Sequence, residues 1–519
     1  MSKLMWHVIA PVVLWTSLTA SADIFSGSGW DDLVDRIGIA AVPTGDDVIV
    51  AQVEAPDASG NYTANENNAE FDGKFLIKRS GGSGVSSHAN TVARRFYGLD
   101  SSIAPGVWFI NCFEVNDFLL DGVLKVGQGS TPPNYDGYGN IKVWNHSWIG
   151  TFNNIGNDTN ALRRQDWIID TDDDFVCVGI NNASTANALL SYSFNALSVG
   201  RRNGEHSWGT IPASYDGAGR MRPDICGPMS TTSDATASVS GAAAILVEWV
   251  RDEPDLPSEA EAAETLRAIL MAGARHTGPN ESIGDWSNGA PASGADRGFT
   301  TQPLDAVMGA GHVDVNRSHE IISGGWQSGG ASHGEASLIL QHGWSMESID
   351  HNSSSWWTFS ISEPMDSFSV VAAWNRQVAS NFGSWSMADF DLELFVMADG
   401  EPVSLIGNTD AWMTGNVASA SAVDNVEHLW IEGLQPGTYG LRLSRIGSEG
   451  SNDIAIAWHA SDPFDAGIPG DINGDGIVSV DDLLEIIGAW GPCDGCDTDI
   501  TGDGLVNVDD VLALLSLWG

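Results

Sequence analysis

Basic residues are scarce. Lys and Arg number 23 against 68 Asp and Glu in 519 residues, a formal net charge of −45. Phosphate binding needs clustered Lys and Arg, so nucleic acid is excluded as a partner, and an anionic membrane surface is disfavoured for the same reason. The acidity suits solubility in salt and binding of divalent cations. Cysteine is equally sparse, with five in the chain, which excludes a disulfide scaffold. Cys112, Cys177 and Cys226 stand among apolar neighbours and read as small buried residues. Cys493 and Cys496 form a CxxC with no further Cys or His in that tail, which fits a local disulfide and not a metal knuckle. Long apolar runs are missing beyond the N-terminus. There, Lys3, a mostly apolar stretch over 5–18 and the small residues Ala20-Ser21-Ala22 make 1–22 a secretory signal. The run is too short to span a membrane. The expectation is an exported chain without a transmembrane helix. With 42% hydrophobic residues, 18% charged and 21 tryptophans, general disorder is excluded.

The chain divides into three textures. Residues 23–325 alternate short apolar runs (48–53, 107–112, 141–144, 175–178) with helical patterns (87–97, 235–251, 259–272). That alternation predicts an α/β domain with a parallel sheet covered on both faces. Residues 274–300 are rich in Gly, Ser, Pro and Asn and read as a long loop. Residues 330–460 carry strand runs (356–362, 368–374, 391–396, 439–443, 454–458) separated by turns, which predicts a β-sandwich. Residues 461–469, with two prolines, read as a linker. Residues 470–519 hold eleven acids and no Lys or Arg. They repeat Asp471-Ile-Asn-Gly-Asp-Gly-Ile-Val-Ser-Val-Asp-Asp482 as Asp499-Ile-Thr-Gly-Asp-Gly-Leu-Val-Asn-Val-Asp-Asp510, and each copy runs into an apolar helix.

The segment Thr232-Ser233-Asp-Ala-Thr-Ala-Ser-Val-Ser-Gly places a serine where an Ala-rich helix begins. A nucleophile there lies beside the positive end of the helix dipole and free backbone N–H groups. Alone, such a segment is an ordinary N-cap. It is accompanied, in order, by a strand over 48–54 ending in a carboxylate, by Ser86-Ser-His-Ala-Asn with His88 at a helix start, and by Phe175-Val-Cys-Val-Gly-Ile-Asn-Asn182, a strand ending in two asparagines. Together these resemble the subtilisin-like serine proteases over residues 30–325. The resemblance implies Ser233 as nucleophile, His88 as general base and Glu54 as the acid that orients it. It also implies an oxyanion hole from Asn181 and the Ser233 backbone N–H, with Asn182 as the alternative amide. Ser147, Trp148 and Ile149 fall where the family pairs a substrate strand by β-augmentation.

Several positions depart from the family pattern. The acid is Glu54 instead of Asp, with Asp57 as a substitute three residues on. Thr91 stands for a second His, Thr231 for a Gly, and Ala237-Ser238 for Pro-His. His146 and His312 read as structural.

In the tail, oxygen-bearing residues fall at loop positions one, three, five and twelve: Asp471, Asn473, Asp475 and Asp482, then Asp499, Thr501, Asp503 and Asp510. Gly476 and Gly504 occupy the sixth position, where the loop turns sharply. The pattern resembles a type I dockerin, which implies Ca²⁺ in both loops and a cohesin-like protein as docking partner.

The reading is a secreted, multidomain serine endopeptidase acting on polypeptides, tethered through its tail. The rival is a catalytically inactive binding or structural protein on the same scaffold. An esterase-type hydrolase is disfavoured, because no Gly-x-Ser-x-Gly elbow surrounds Ser233 and the His precedes the Ser.

Overall fold

The computed structural model describes residues 22–134, 138, 140–217, 219–276, 286–450, 453–463, 472, 478–493, 496, 498–501 and 504–518. Residues 1–21 of the 1–22 signal segment and most of the 461–469 linker lie outside them. So do Asp471, Asn473, Asp475, Gly476 and Asp503 of the calcium-loop pattern.

Seven strands form one parallel sheet: β1 (Val50–Glu54), β2 (Phe75–Lys78), β3 (Phe109–Glu114), β4 (Val143–His146), β5 (Phe175–Gly179), β6 (Leu197–Arg201) and β7 (Ile225–Gly227). Their order is β2-β3-β1-β4-β5-β6-β7, and every pairing is parallel. β1, β4 and β5 are buried throughout, which is why they show no apolar–polar alternation. The chain leaves the β2-β3-β1 half and resumes beyond β1 at β4, so the β1/β4 boundary is the switch point. Ligand crevices in open α/β sheets form there, outside the carboxyl ends of the strands.

The helices are α1 (Ala22–Gly27), α2 (Trp30–Ile37), α3 (Ser87–Tyr97), the single turn α4 (Val115–Asp117), α5 (Ile155–Asp172), α6 (Thr232–Asp252), α7 (Ala263–Ala272) and α8 (Val315–Ser323). α6 is lined with small buried residues, including Ala235, Ala237, Ser238, Gly241, Ala242 and Ala243. They let its axis lie close against α3 and strands β4 to β7. The helix expected over 259–272 is split. A 3₁₀ turn at Ser258–Glu261 leads to extended Ala262 (ψ 143°), and α7 starts only then.

Residues 330–460 form two facing sheets, one antiparallel and one mixed. One contains His342–Ser348, Asp453–Ala460, Met365–Ala373, Val426–Leu434 and Thr414–Gly415. The other is built around Asp389–Ala398, Gly437–Ile446 and Ser354–Ile361. Trp357, Phe359, Phe368, Trp374, Phe390 and Trp458 fill the space between them. The expected loop over 274–300 ends in a short strand, and the sandwich region packs into the α/β body. Phe299–Thr300 is a strand that pairs with Ala418–Ser419 of the sandwich. Trp344, Val371, Ala373, Val426, Ala455 and Ala457 belong to the same apolar core as α6, α7 and the parallel sheet.

The junction is also polar. Arg376, fully buried, pairs with Asp166 of α5 at 2.6 Å and with Asp216 at 3.1 Å. Its backbone N–H and C=O are both held by the Asn195 side chain.

In the tail, Val480–Gly488 and Val508–Leu517 are helices that meet over Ile486, Val506 and Leu514. Cys493 and Cys496 are joined as a disulfide with Cα atoms 6.0 Å apart. Cys112, Cys177 and Cys226 are free and buried. No described helix is long and apolar enough to cross a membrane.

Candidate active site

β1 ends in Glu54, whose side chain is fully buried. α3 starts beyond its N-cap Ser86, whose hydroxyl accepts the Ala89 N–H, and its second residue is His88. The imidazole Nδ1 lies 2.7 Å from Glu54 Oε2, and Nε2 lies 3.1 Å from Ser233 Oγ. Three residues from separate parts of the sequence thus form one line: carboxylate, imidazole, hydroxyl. The His88 side chain is 48% exposed while Glu54 is sealed. The hydrogen bond to Glu54 raises the imidazole pKa above its ordinary 6.5, burial opposes the rise, and the charges of Glu54 and Asp234 add to it.

Asp57 is not in this line. Its carboxylate accepts the Ser59 and Asn61 N–H groups and the Asn61 amide, closing its own turn at the cleft rim. Those Asn61 bonds hold its pKa down. The extra methylene of Glu54 spans the distance to His88 from the strand end.

Ser233 stands in the first turn of α6. First-turn N–H groups have no acceptor inside a helix, and here each has a separate fate. The Thr232 N–H donates to Asn182 Oδ1 at 2.9 Å. The Asp234 N–H donates to the hydroxyl of the N-cap Thr231 at 3.2 Å, and the Ala235 N–H to the Thr231 carbonyl. The Ser233 N–H is left without a protein acceptor among the described residues. Thr231, where the family has Gly, therefore serves as a helix cap. Asp234, beside the nucleophile, has its pKa raised by burial.

Asn181 is not turned toward the nucleophile. Its Nδ2 donates to the Thr185 carbonyl at 2.8 Å and to Asn187 Oδ1 at 3.1 Å, and its Oδ1 accepts the Ala183 N–H. These bonds tie the amide into its own loop. Asn182 is the asparagine that reaches α6. Because a backbone N–H must meet an oxygen, it is Asn182 Oδ1 that faces Thr232.

The three substrate-segment residues differ in role. Ser147 is buried. Its Oγ donates to the Ser233 carbonyl at 2.8 Å and accepts from Asn145 Nδ2 at 3.0 Å. Asn145 in turn accepts from Ser240 of α6. Trp148 is 6% exposed, and its indole N–H donates to His146 Nδ1 at 3.2 Å. Ile149, 40% exposed, faces outward. His146 is a buried packing residue whose pKa burial pushes down to about 3, and His312 is likewise buried, at about 4. An open cleft of about 370 Å³ is lined by His88, Ser233, Trp148, Ile149, Asn181 and Asn182. A smaller cavity of about 180 Å³ between Trp286 and Trp412 lies elsewhere and contains none of these residues.

In the tail, Asp482 and Asp510 are fully buried. Asp482 accepts the Ile472 and Ser479 N–H groups, each at 2.7 Å. Asp510 accepts the Thr501 N–H and hydroxyl, both at 3.0 Å, and the Asn507 N–H. Asp499 accepts the N–H of Gly504, which has φ +82° at the sharp turn. Asp482, Asp499, Thr501 and Asp510 all offer oxygen, the donor chemistry that Ca²⁺ takes.

No family model matches the chain, and no curated protein matches it. Solved structures do. The prenylagaramide maturation protease PagA is 16% identical, covering 58% of this chain and 98% of that one, with a TM-score of 0.35. The Aeromonas sobria serine protease in complex with a chaperone is 15% identical, covering 80% and 88%, at 0.32. A cold adapted subtilisin-like serine proteinase is 16% identical, covering 46% and 87%, at 0.29. At such TM-scores the likenesses carry no argument about what this chain does.

Proposed function

We propose that the protein is a serine endopeptidase in which Glu54, His88 and Ser233 act as a triad. The observation that carries this reading is the pair of hydrogen bonds, 2.7 Å and 3.1 Å, that joins them in the order acid, base, nucleophile. Ser233 Oγ attacks the peptide carbonyl carbon while His88 Nε2 takes the hydroxyl proton. Glu54 holds the tautomer with Nδ1–H and stabilises the imidazolium. The oxyanion forms against the Ser233 N–H and the Asn182 side-chain amide. Collapse breaks the C–N bond, and His88 gives its proton to the leaving amine. Water, deprotonated by His88, then releases the acyl group from Ser233.

The extended segment 147–149 at the cleft is suited to pair with substrate backbone. An inert scaffold is disfavoured because the Ser233 N–H, the group an oxyanion needs, is the first-turn donor left open. The tail would hold Ca²⁺ through Asp471, Asn473, Asp475 and Asp482, and through Asp499, Thr501, Asp503 and Asp510, ordering its two helices. Val480, Leu484, Ile487, Val508, Leu512 and Leu515 are exposed on those helices, a face suited to a cohesin-like partner. Residues 1–22 would direct export.

The test is hydrolysis of an unfolded protein substrate. Wild type should cleave it and be blocked by serine-directed inhibitors, while Ser233→Ala should retain only weak residual activity. Equal rates in the two proteins would refute the reading.

A further inference from the structure

The triad line does not end at Glu54. Gln52 lies two residues earlier on β1, so its side chain leaves the sheet on the same face. It is 2% exposed, and its Nε2 donates to Glu54 Oε1 at 2.8 Å and to the Ala89 carbonyl of α3 at 2.9 Å. Tyr97, at the far end of α3 and fully buried, donates its hydroxyl to Gln52 Oε1 at 2.6 Å. The amide orientation is forced. A carboxylate and a backbone carbonyl both need a donor, so nitrogen must face them and oxygen must face the phenol. Burial raises the phenol pKa well above 10, so Tyr97 stays a donor.

From this arrangement, and resting on the triad reading above, we infer that Gln52, locked by Tyr97, is a positioning residue that fixes the Glu54 carboxylate for His88. Glu54 has one more rotatable bond than an aspartate would. One of its oxygens faces His88, and the other is pinned by Gln52. The same amide also pins the first turn of α3, which carries His88, to the strand that carries Glu54. One side chain thus sets both ends of the acid–base bond, and Tyr97 sets that side chain.

The chemistry gives a sign. Gln52 donates more strongly to Glu54 when the neighbouring imidazole is neutral than when it is a cation, because the cation already draws off carboxylate charge. The bond therefore favours neutral His88 and holds its pKa below the value it would have without Gln52. Removing the donor should move the acid limb of the pH–rate profile to higher pH, and the loosened carboxylate should lower turnover without altering the substrate cleft.

The experiment compares wild type, Gln52→Met and Tyr97→Phe, each checked to be folded at the assay temperature by a cooperative thermal unfolding transition above it. Measurements are kcat, KM and the pH profile on a peptide substrate, with fluorophosphonate labelling of Ser233. Gln52→Met should lose about 10- to 100-fold in kcat, with KM changed less than about twofold, and its acid limb should rise. Tyr97→Phe should shift both in the same direction by less. If Gln52→Met does not fold, Tyr97→Phe alone decides. Wild-type kcat and an unmoved acid limb in the folded variants, with Ser233 still labelled, would overturn the inference and leave the triad standing. Absence of labelling in wild type would overturn both.

Discussion

His88 can accept a proton only while Nε2 is unprotonated, and its hydrogen bond to Glu54 raises the pH at which that condition is met. Activity should therefore fall as pH drops through a value above the ordinary imidazole 6.5, as read from the acid limb of kcat/KM. An acid limb that stays at the same pH in Glu54→Gln would mean that Glu54 does not act on His88 in solution. Glu54→Gln should keep the packing and lose about 10⁴-fold in kcat, since an amide cannot hold the required tautomer. Asp57→Asn, on a carboxylate occupied by Asn61 and Ser59, should be mild. The two asparagines give a sharper contrast. Asn182→Ala should cost about 10²- to 10³-fold in kcat, the scale of one oxyanion donor. Asn181→Ala, whose amide is spent within its loop, should cost much less. The reverse ranking would return the role to Asn181.

At the scale of elements, what the sequence made legible follows from which signals are local. β5 is legible because a strand buried on both faces is an unbroken apolar run, and β1 and β4 are legible from the apolar residues that lead into them, ahead of the polar Gln52, Glu54, Asn145 and His146. The start of α6 was readable because Ser, Thr and Asp precede a run of Ala. Which asparagine serves α6 was not readable: the choice depends on how the 181–187 loop folds back, a tertiary fact. α5 escaped because its eighteen residues carry Asn, Asp and Thr among few apolar positions, and two of its buried charged side chains, Arg164 and Asp166, are held by partners distant in sequence. The role of Gln52 was invisible because glutamine in an apolar strand gives no periodic signal. The tail repeat was plain in sequence, yet half of its ligand positions lie outside the described residues. If the loops bind Ca²⁺, amide exchange over 478–518 of the intact chain should slow on adding Ca²⁺ and recover with EGTA, and Asp482→Ala with Asp510→Ala should abolish the response. Equal protection in EGTA would make the tail a calcium-independent helical pair.

Across the whole molecule, the sandwich is part of the body that carries the active site. Apolar residues of both regions share one core, and Arg376 of the sandwich is buried against Asp166 of α5. Arg376→Ala would leave Asp166 buried without its cation, which typically costs about 3–5 kcal/mol. The denaturant midpoint should fall accordingly, and activity should be lost at the same denaturant concentration as sandwich tryptophan fluorescence. An unchanged midpoint, or two separated transitions, would mean that the regions are independent. The sequence, with its change of texture near 330, suggested separate domains because a boundary in composition carries no record of which faces meet.

The most direct measurement is covalent. The intact protein is treated with a fluorophosphonate at neutral pH, digested, and the adduct located by mass spectrometry. A single adduct on Ser233, lost in His88→Ala and in Glu54→Gln, is the predicted result. An unmodified Ser233, or one modified equally well without His88, would contradict the triad.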